Sequence, residues 1–171
     1  MYGIIIIFNM LISTILGIFI ALAVTRLIPH PPNFTSLIAL SFYVPIFFGL
    51  RFIPAIIGSF LITDLFLGFH SLQFFTWGSV LVIGCLSKYF TTNFKTRISG
   101  VFIGSLLFFI ISNFGVFALG SYGYTFQGLL TCYFLAIPFF TNTVISTFIF
   151  SFLIEAVYKL FHLEKKMNFL K

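Results

Sequence analysis

One of the three acidic residues, Asp64, is read as lying within an apolar run, that at 52–69. An ionised carboxylate in hydrocarbon is costly and is normally kept for a partner or a ligand. The base expected at comparable depth is Arg26, whose guanidinium can hold a carboxylate or a carbonyl oxygen through several N–H donors. Three asparagines, Asn33, Asn113 and Asn142, add neutral hydrogen-bonding groups. An amide left unpaired in lipid is unfavourable, so each should face inward. Aromatic residues in the connections, Phe34, Tyr122 and Tyr124, can stack on or cover a bound ring. Arg26, Asn33, Phe34, Asp64, Asn113, Tyr124 and Asn142 thus form a candidate substrate-binding set that orients a polar small molecule. The same residues can instead serve as struts, with Arg26 and Asp64 neutralising one another and the asparagines capping broken helices.

Catalysis finds little support. There is no Gly-x-Ser-x-Gly and no His-Glu-x-x-His, and a single intramembrane acid cannot form an aspartyl dyad. No Gly-x-x-x-x-Gly-Lys-Ser/Thr loop is present, so ATP hydrolysis, if used, belongs to another subunit. Cys85 and Cys132 lie in separate apolar runs and read as small buried apolar residues, neither a disulfide nor metal ligands. His30 and His70 read as interfacial hydrogen-bonding residues, and Trp77 as an interfacial belt anchor. No metal and no cofactor are expected.

The elements that must position these groups follow from composition. The chain is 60% hydrophobic and 7% charged, with 28 Phe among 171 residues, more apolar surface than one small soluble core can hide. It reads as a single integral membrane domain, 1–171, of the all-α class. A span needs about 20 apolar residues, and on that measure six transmembrane helices fall near 4–27, 35–50, 52–69, 73–90, 98–119 and 127–158. The opening run lacks the basic start and cleavage site of a secretory signal and should remain as a helix. The second span carries Pro45 and is expected to be tilted, partly unwound or continuous with its neighbour across Gly49. The sixth is too long for one straight span, and Pro138 marks a kink or a short preceding helix.

Lys88, Lys95 and Arg97 flank the connection after span four, and Lys159, Lys165, Lys166 and Lys171 follow span six. By the positive-inside rule both clusters, with Arg51, face the cytoplasm of a bacterial inner membrane, and both termini are cytoplasmic. The net charge of +6 therefore reports orientation in a lipid bilayer, and nucleic acid is not an expected partner. Glu155 and Lys159, four apart, read as a local ion pair on a solvated turn. The three outward connections carry no charge but hold Asn33, His70, Tyr122 and Tyr124. Small residues recur every fourth position in the first span, at Ser13, Gly17, Ala21 and Thr25, and again at Gly100 and Gly104. Such stripes admit close helix approach, either within the bundle or from a docked partner.

The run Arg26-Leu-Ile-Pro-His-Pro-Pro-Asn-Phe-Thr35, the pair Thr63-Asp64 with Leu67-Gly68, Ser112-Asn-Phe-Gly-Val116, Gly128-Leu-Leu-Thr-Cys-Tyr133 and Ile137-Pro-Phe-Phe-Thr-Asn-Thr143 together resemble an uncharacterised family of small bacterial membrane proteins. That family is similar to the substrate-binding S components of energy-coupling factor (ECF) transporters. The resemblance implies a six-helix bundle that takes up a vitamin, cofactor precursor or similar nutrient beneath the loops after spans one, three and five. It also implies docking of the first helix on an ECF T component driven by two ATPase subunits. S components often carry Ala-x-x-x-Ala there; this chain has Gly17-x-x-x-Ala21 flanked by Ser13 and Thr25. A structural or assembly subunit of a larger membrane complex is the alternative reading.

Overall fold

The computed structural model describes the backbone of residues 2–168 and the side chains of Asn9 and residues 11–160. Seven α-helices follow one another among the described residues: α1 (Tyr2–Leu27), α2 (Leu37–Phe48), α3 (Ile53–Leu67), α4 (Gln73–Leu86), α5 (Phe94–Ala118), α6 (Phe126–Leu135) and α7 (Ile137–Asn168). Short 3₁₀ turns, Leu50–Phe52 and Ser87–Phe90, precede α3 and follow α4. The segments Leu50–Leu67, Phe94–Ala118 and Ile137–Leu160 are long and apolar enough to cross a membrane. Phe66, Phe74, Phe114 and Phe134 point outward, whereas Ser41, Ser79, Ser105, Thr147 and Glu155 are buried. Apolar side chains outside and polar ones inside suit a protein solvated by lipid.

The expected sixth span divides as Pro138 foretells. A short helix, α6, ends before Ala136, and α7 starts with Pro138 in its first turn, where the missing N–H has no intrahelical partner to lose. The second span is a separate helix from the third. Gly49 stops α2 at φ +93°, a conformation open to glycine, and its N–H bonds the Pro45 carbonyl at 3.0 Å.

Short as it is, α2 is the centre of the bundle. Leu37 through Pro45 are buried without a break, and α2 touches α1, α3, α4, α5 and α7. A helix enclosed on every side needs no polar face. Pro45 deprives the Ser41 carbonyl of its usual helical donor, and α4 comes close there because Gly84 has no side chain. A Cβ at Gly84 would stand 3.4 Å from that carbonyl and 3.0 Å from Ile53 Cδ1.

The two small-residue stripes have different fates. Gly100 and Gly104 are filled by the bundle itself: a Cβ at Gly100 would meet Phe42 Cζ at 2.5 Å and Phe90 Cγ at 2.6 Å, and one at Gly104 would meet Ile83 Cγ2 at 3.3 Å. On α1, the Ala21–Thr25 end is taken by the start of α2. Thr25 Oγ1 and Ser36 Oγ are 2.8 Å apart, and Ser36 Oγ donates to the Ala21 carbonyl at 3.3 Å. Ser13 and Gly17 stay exposed, with nothing within 4 Å of a Cβ built on Gly17. Gly100→Ala should therefore cost about 1–3 kcal/mol, a fall of roughly 3–10 °C in melting temperature in detergent, while Gly17→Ala, unobstructed in the middle of α1, should gain up to about 1 kcal/mol and raise it slightly. Equal melting of the two variants would contradict this packing.

Candidate substrate-binding site

Arg26 leaves the last turn of α1 toward α3, where Asp64 and Thr63 project from the last turns. Its Nη2 lies 2.7 Å from Asp64 Oδ1, its Nη1 donates to the Phe60 carbonyl at 3.2 Å and to Thr63 Oγ1, and its guanidinium sits 4.3 Å above the centre of the Phe60 ring. Trp77 of α4 donates from Nε1 to Asp64 Oδ2 at 2.9 Å. Asp64 is 1% exposed: its Oδ2 accepts from Trp77, its Oδ1 accepts no hydrogen bond and is held by the charge of Arg26, and the pair is neutral as a unit. The mutual neutralisation of Arg26 and Asp64 is thus a feature of the fold. Trp77, read from the sequence as an interfacial anchor, is half-buried and its indole N–H is held by the Asp64 carboxylate.

Two adjoining cavities open beside this cluster. The first, about 180 Å³, is lined by Arg26, His30, Asn33, Thr35, His70 and Phe108 among others. The second, about 140 Å³, includes Asn33, Phe108, Ser112, Asn113, Phe140 and Thr143. Asn33 and Phe108 border both. Asn33 has φ +63°, the left-handed region that asparagine tolerates better than most residues. Its loop is fastened to α7 by two bonds: Asn142 Nδ2 donates to the Pro32 carbonyl at 3.1 Å, and Ser146 Oγ to the Asn33 carbonyl at 3.4 Å. On α5, Asn113 Nδ2 donates to the Phe109 carbonyl at 2.7 Å. Its side-chain oxygen keeps acceptor capacity for the cavity it lines.

Of the seven residues expected to bind substrate, Arg26, Asn33 and Asn113 line these cavities. Asp64 stands behind Arg26 and sets its position, and Asn142 anchors the loop that carries Asn33. Phe34 packs edge-on against Phe150 with ring centres 6.4 Å apart. Tyr124 is largely exposed, bonded through its hydroxyl to the Ala118 carbonyl and edge-on to Phe117. Neither borders either cavity. His30 and His70, read from the sequence only as interfacial groups, belong to the lining; their placement on the connections after α1 and α3 was the available signal.

A second buried ion pair, missed in the sequence, joins α5 to α7. Arg97 Nε and Nη2 lie 2.5 and 2.8 Å from Glu155 Oε1 and Oε2, and Glu155 is 2% exposed. This corrects the expected Glu155–Lys159 pair on a solvated turn. A guanidinium fork that meets both carboxylate oxygens outcompetes a flexible neighbour four residues on. Lys159 instead lies over the Phe94 ring at 5.4 Å. The signal was periodic: Thr143, Thr147, Ser151 and Glu155 fall at every fourth position of α7, which puts them on one face.

Cys132 is buried as expected, with its thiol facing the Asn113 carbonyl at 3.3 Å; Cys85, expected to be buried, is exposed on the outside of α4, and both are free. Among the described residues no three His, Cys, Asp or Glu side chains gather as a metal site. What the arrangement offers chemically is a small concave surface of neutral donors and acceptors around one guanidinium whose charge is already balanced.

No curated protein and no solved structure matches the chain. A family model does match, over residues 7–169, which is nearly the whole chain. The protein therefore belongs to DUF6580, a family of unknown function.

Proposed function

We propose that the protein is a membrane-embedded binding protein for the uptake of a small molecule, working as the S components of ECF transporters do. The observation that carries this reading is the pair of cavities meeting at Asn33 and Phe108, at the end of the bundle away from Lys88, Lys95 and Lys159. By the positive-inside rule that end faces outward and both termini are cytoplasmic, with α1, α3, α5 and α7 as the long crossings, α2 and α4 as shorter ones packed among them, and α6 lying at the outer end. The cavities are smaller than the roughly 300–1,000 Å³ of drug-sized sites, which suits a compact ligand such as a cofactor precursor. Because Asp64 balances Arg26, that ligand is expected to be uncharged, bonded by Asn33, Asn113 and the histidines and held against Phe108. An energising T component with two ATPases would be borrowed, and the open Ser13–Gly17 surface of α1 is where it would dock.

The assembly-subunit reading has one observation in its favour: the bonds of Arg26 to Phe60, Thr63 and Asp64 occupy much of its donor capacity. Mass spectrometry of protein purified in mild detergent from rich-medium cells separates the two. Uptake predicts a stoichiometric small molecule that is lost in Asn113→Leu, a variant that fills the cavity without touching the ion pair. An empty wild-type preparation that retains a defined set of membrane subunits sinks the uptake reading.

A further inference from the structure

A hydrogen bond already made fixes the role of the atoms left over, and four polar side chains around the two cavities are fixed in the same sense. On α5, Asn113 Nδ2 lies 2.7 Å from the Phe109 carbonyl. A carbonyl only accepts, so the amide nitrogen must be the atom that faces it, and turning the amide over would set two oxygens against each other. What remains to Asn113 is Oδ1, an acceptor. Beside it, Ser112 Oγ donates to the Phe108 carbonyl at 2.6 Å, and on α7 Thr143 Oγ1 donates to the Phe139 carbonyl at 2.9 Å. Each hydroxyl has a single hydrogen, so each keeps only lone pairs for the cavity it borders. His30, in the adjoining cavity, repeats the pattern. Its Nδ1 stands 2.7 Å from the Pro31 carbonyl, which places the hydrogen on Nδ1 and leaves Nε2 of the neutral ring as an acceptor.

The 140 Å³ cavity thus takes acceptors from two helices, and its one other polar side chain, the Asn33 amide, can serve in either role. The rest of its lining is apolar and rich in phenyl rings, among them Phe109 and Phe140 with centres 4.7 Å apart. Acceptors in such surroundings favour an occupant that brings hydrogens. An ammonium would bring hydrogens too, and phenyl faces attract cations. But no acid lines either cavity, the Asp64 carboxylate being engaged by Arg26 and Trp77, and a cation would have the Arg26 guanidinium in the wall of the adjoining cavity. The occupant that matches acceptors, rings and absent counter-charge together is neutral, flat and rich in N–H.

We propose that the site selects an uncharged heteroaromatic ring bearing amino groups, its N–H hydrogens on Asn113 Oδ1, Ser112 Oγ and Thr143 Oγ1 and its face against Phe108. The inference rests on the uptake reading and names the class of molecule taken up. His30 Nε2 offers the same recognition to a further N–H where the molecule extends past Asn33 into the adjoining cavity. A methyl group in place of the amino group leaves the acceptors unpaired, and an oxo group sets a lone pair against them. Both are rejected on the same ground, because a site built to pair with N–H discriminates strongly against the analogue that lacks it. The hydroxyls can turn toward an acceptor only by giving up their bonds to the helix, and the Asn113 amide cannot turn without the clash of oxygens described above.

The test uses 2-aminopyrimidine and 2-methylpyrimidine, alike in size and uncharged at neutral pH, which differ in the presence of N–H. Each is titrated into the full chain in mild detergent, washed free of retained molecules, and followed by saturation-transfer NMR with empty micelles as the blank. Wild type should hold the amino compound about ten-fold or more tighter than the methyl compound. Ser112→Ala with Thr143→Val removes two acceptors with little change of shape. It should lower that ratio several-fold while the methyl compound binds no worse than to wild type, which a general loss of structure would not produce. If the double variant does not melt like wild type, Thr143→Val alone is read in its place. Equal binding of the two compounds by wild type, or preference for the methyl one, overturns the inference and leaves the uptake reading standing, since a ring still enters the cavity. Binding of neither overturns it as well, and the uptake reading falls with it only where the mass spectrum also shows an empty preparation. A folded variant that keeps the wild-type ratio likewise overturns it.

Discussion

Asp64→Ala should destabilise the protein in detergent by about 3–5 kcal/mol, nearer the lower figure because the Arg26 side chain is 13% exposed and keeps some access to water. The loss has two sources. Arg26 keeps its charge with no counter-ion, and the Trp77 N–H loses its acceptor at 2.9 Å. For a chain of this size that is a fall of roughly 6–20 °C in melting temperature. Asp64→Asn should fall between, since an amide oxygen can still accept from Trp77 while the charge is gone. Arg26→Met with Asp64→Leu should recover most of the loss, because an apolar pair avoids burying charge at all. If Asp64→Ala melts like wild type, the pair is not the strut described here.

Glu155→Ala should cost about 3–5 kcal/mol through the same logic at the other end of the bundle, stranding Arg97 against α7. Lys159→Ala, one turn further on, should cost no more than about 0.5 kcal/mol, as most exposed substitutions do. The contrast decides between the two descriptions of Glu155. A solvated i, i+4 pair would make both variants equally mild, at about 0.3–0.5 kcal/mol. Thermal melting of the two purified variants side by side is enough.

The sequence was most informative where backbone chemistry is local. Pro138 marks the α6–α7 break because proline is costly in a helix interior, where α2 nonetheless carries Pro45, but free of that cost in a first turn, and Gly49 marks the end of α2 because it can take φ +93°. The Arg26–Asp64 pairing was legible because two opposite charges in an apolar chain have few other partners. Arg97 and Glu155 were misread because proximity in the chain favoured Lys159, and nothing local reveals which face of α7 meets α5. Phe34 and Tyr124 were placed in the site on chemical type alone; with 28 Phe in the chain, type does not distinguish a ring that lines a cavity from one that packs against Phe150 or Phe117. Rotation of each helix about its own axis was the missing information, and it is set by side-chain packing between elements far apart in sequence.

Both ion pairs also bear on how the chain is made. In each, the arginine is synthesised first: Arg26 precedes Asp64, and Arg97 precedes Glu155 by 58 residues. At about 5–20 residues per second, Arg97 waits roughly 3–12 s for its counter-ion. A guanidinium on a long stem near a helix end can reach headgroup water in that interval, which a short carboxylate at the same depth cannot. Arg26 in the last turn of α1 and Arg97 in the first turn of α5 are both so placed. Were the helices to enter a bilayer one at a time, this order of charges would let each cation rest at the surface until the matching acid arrives.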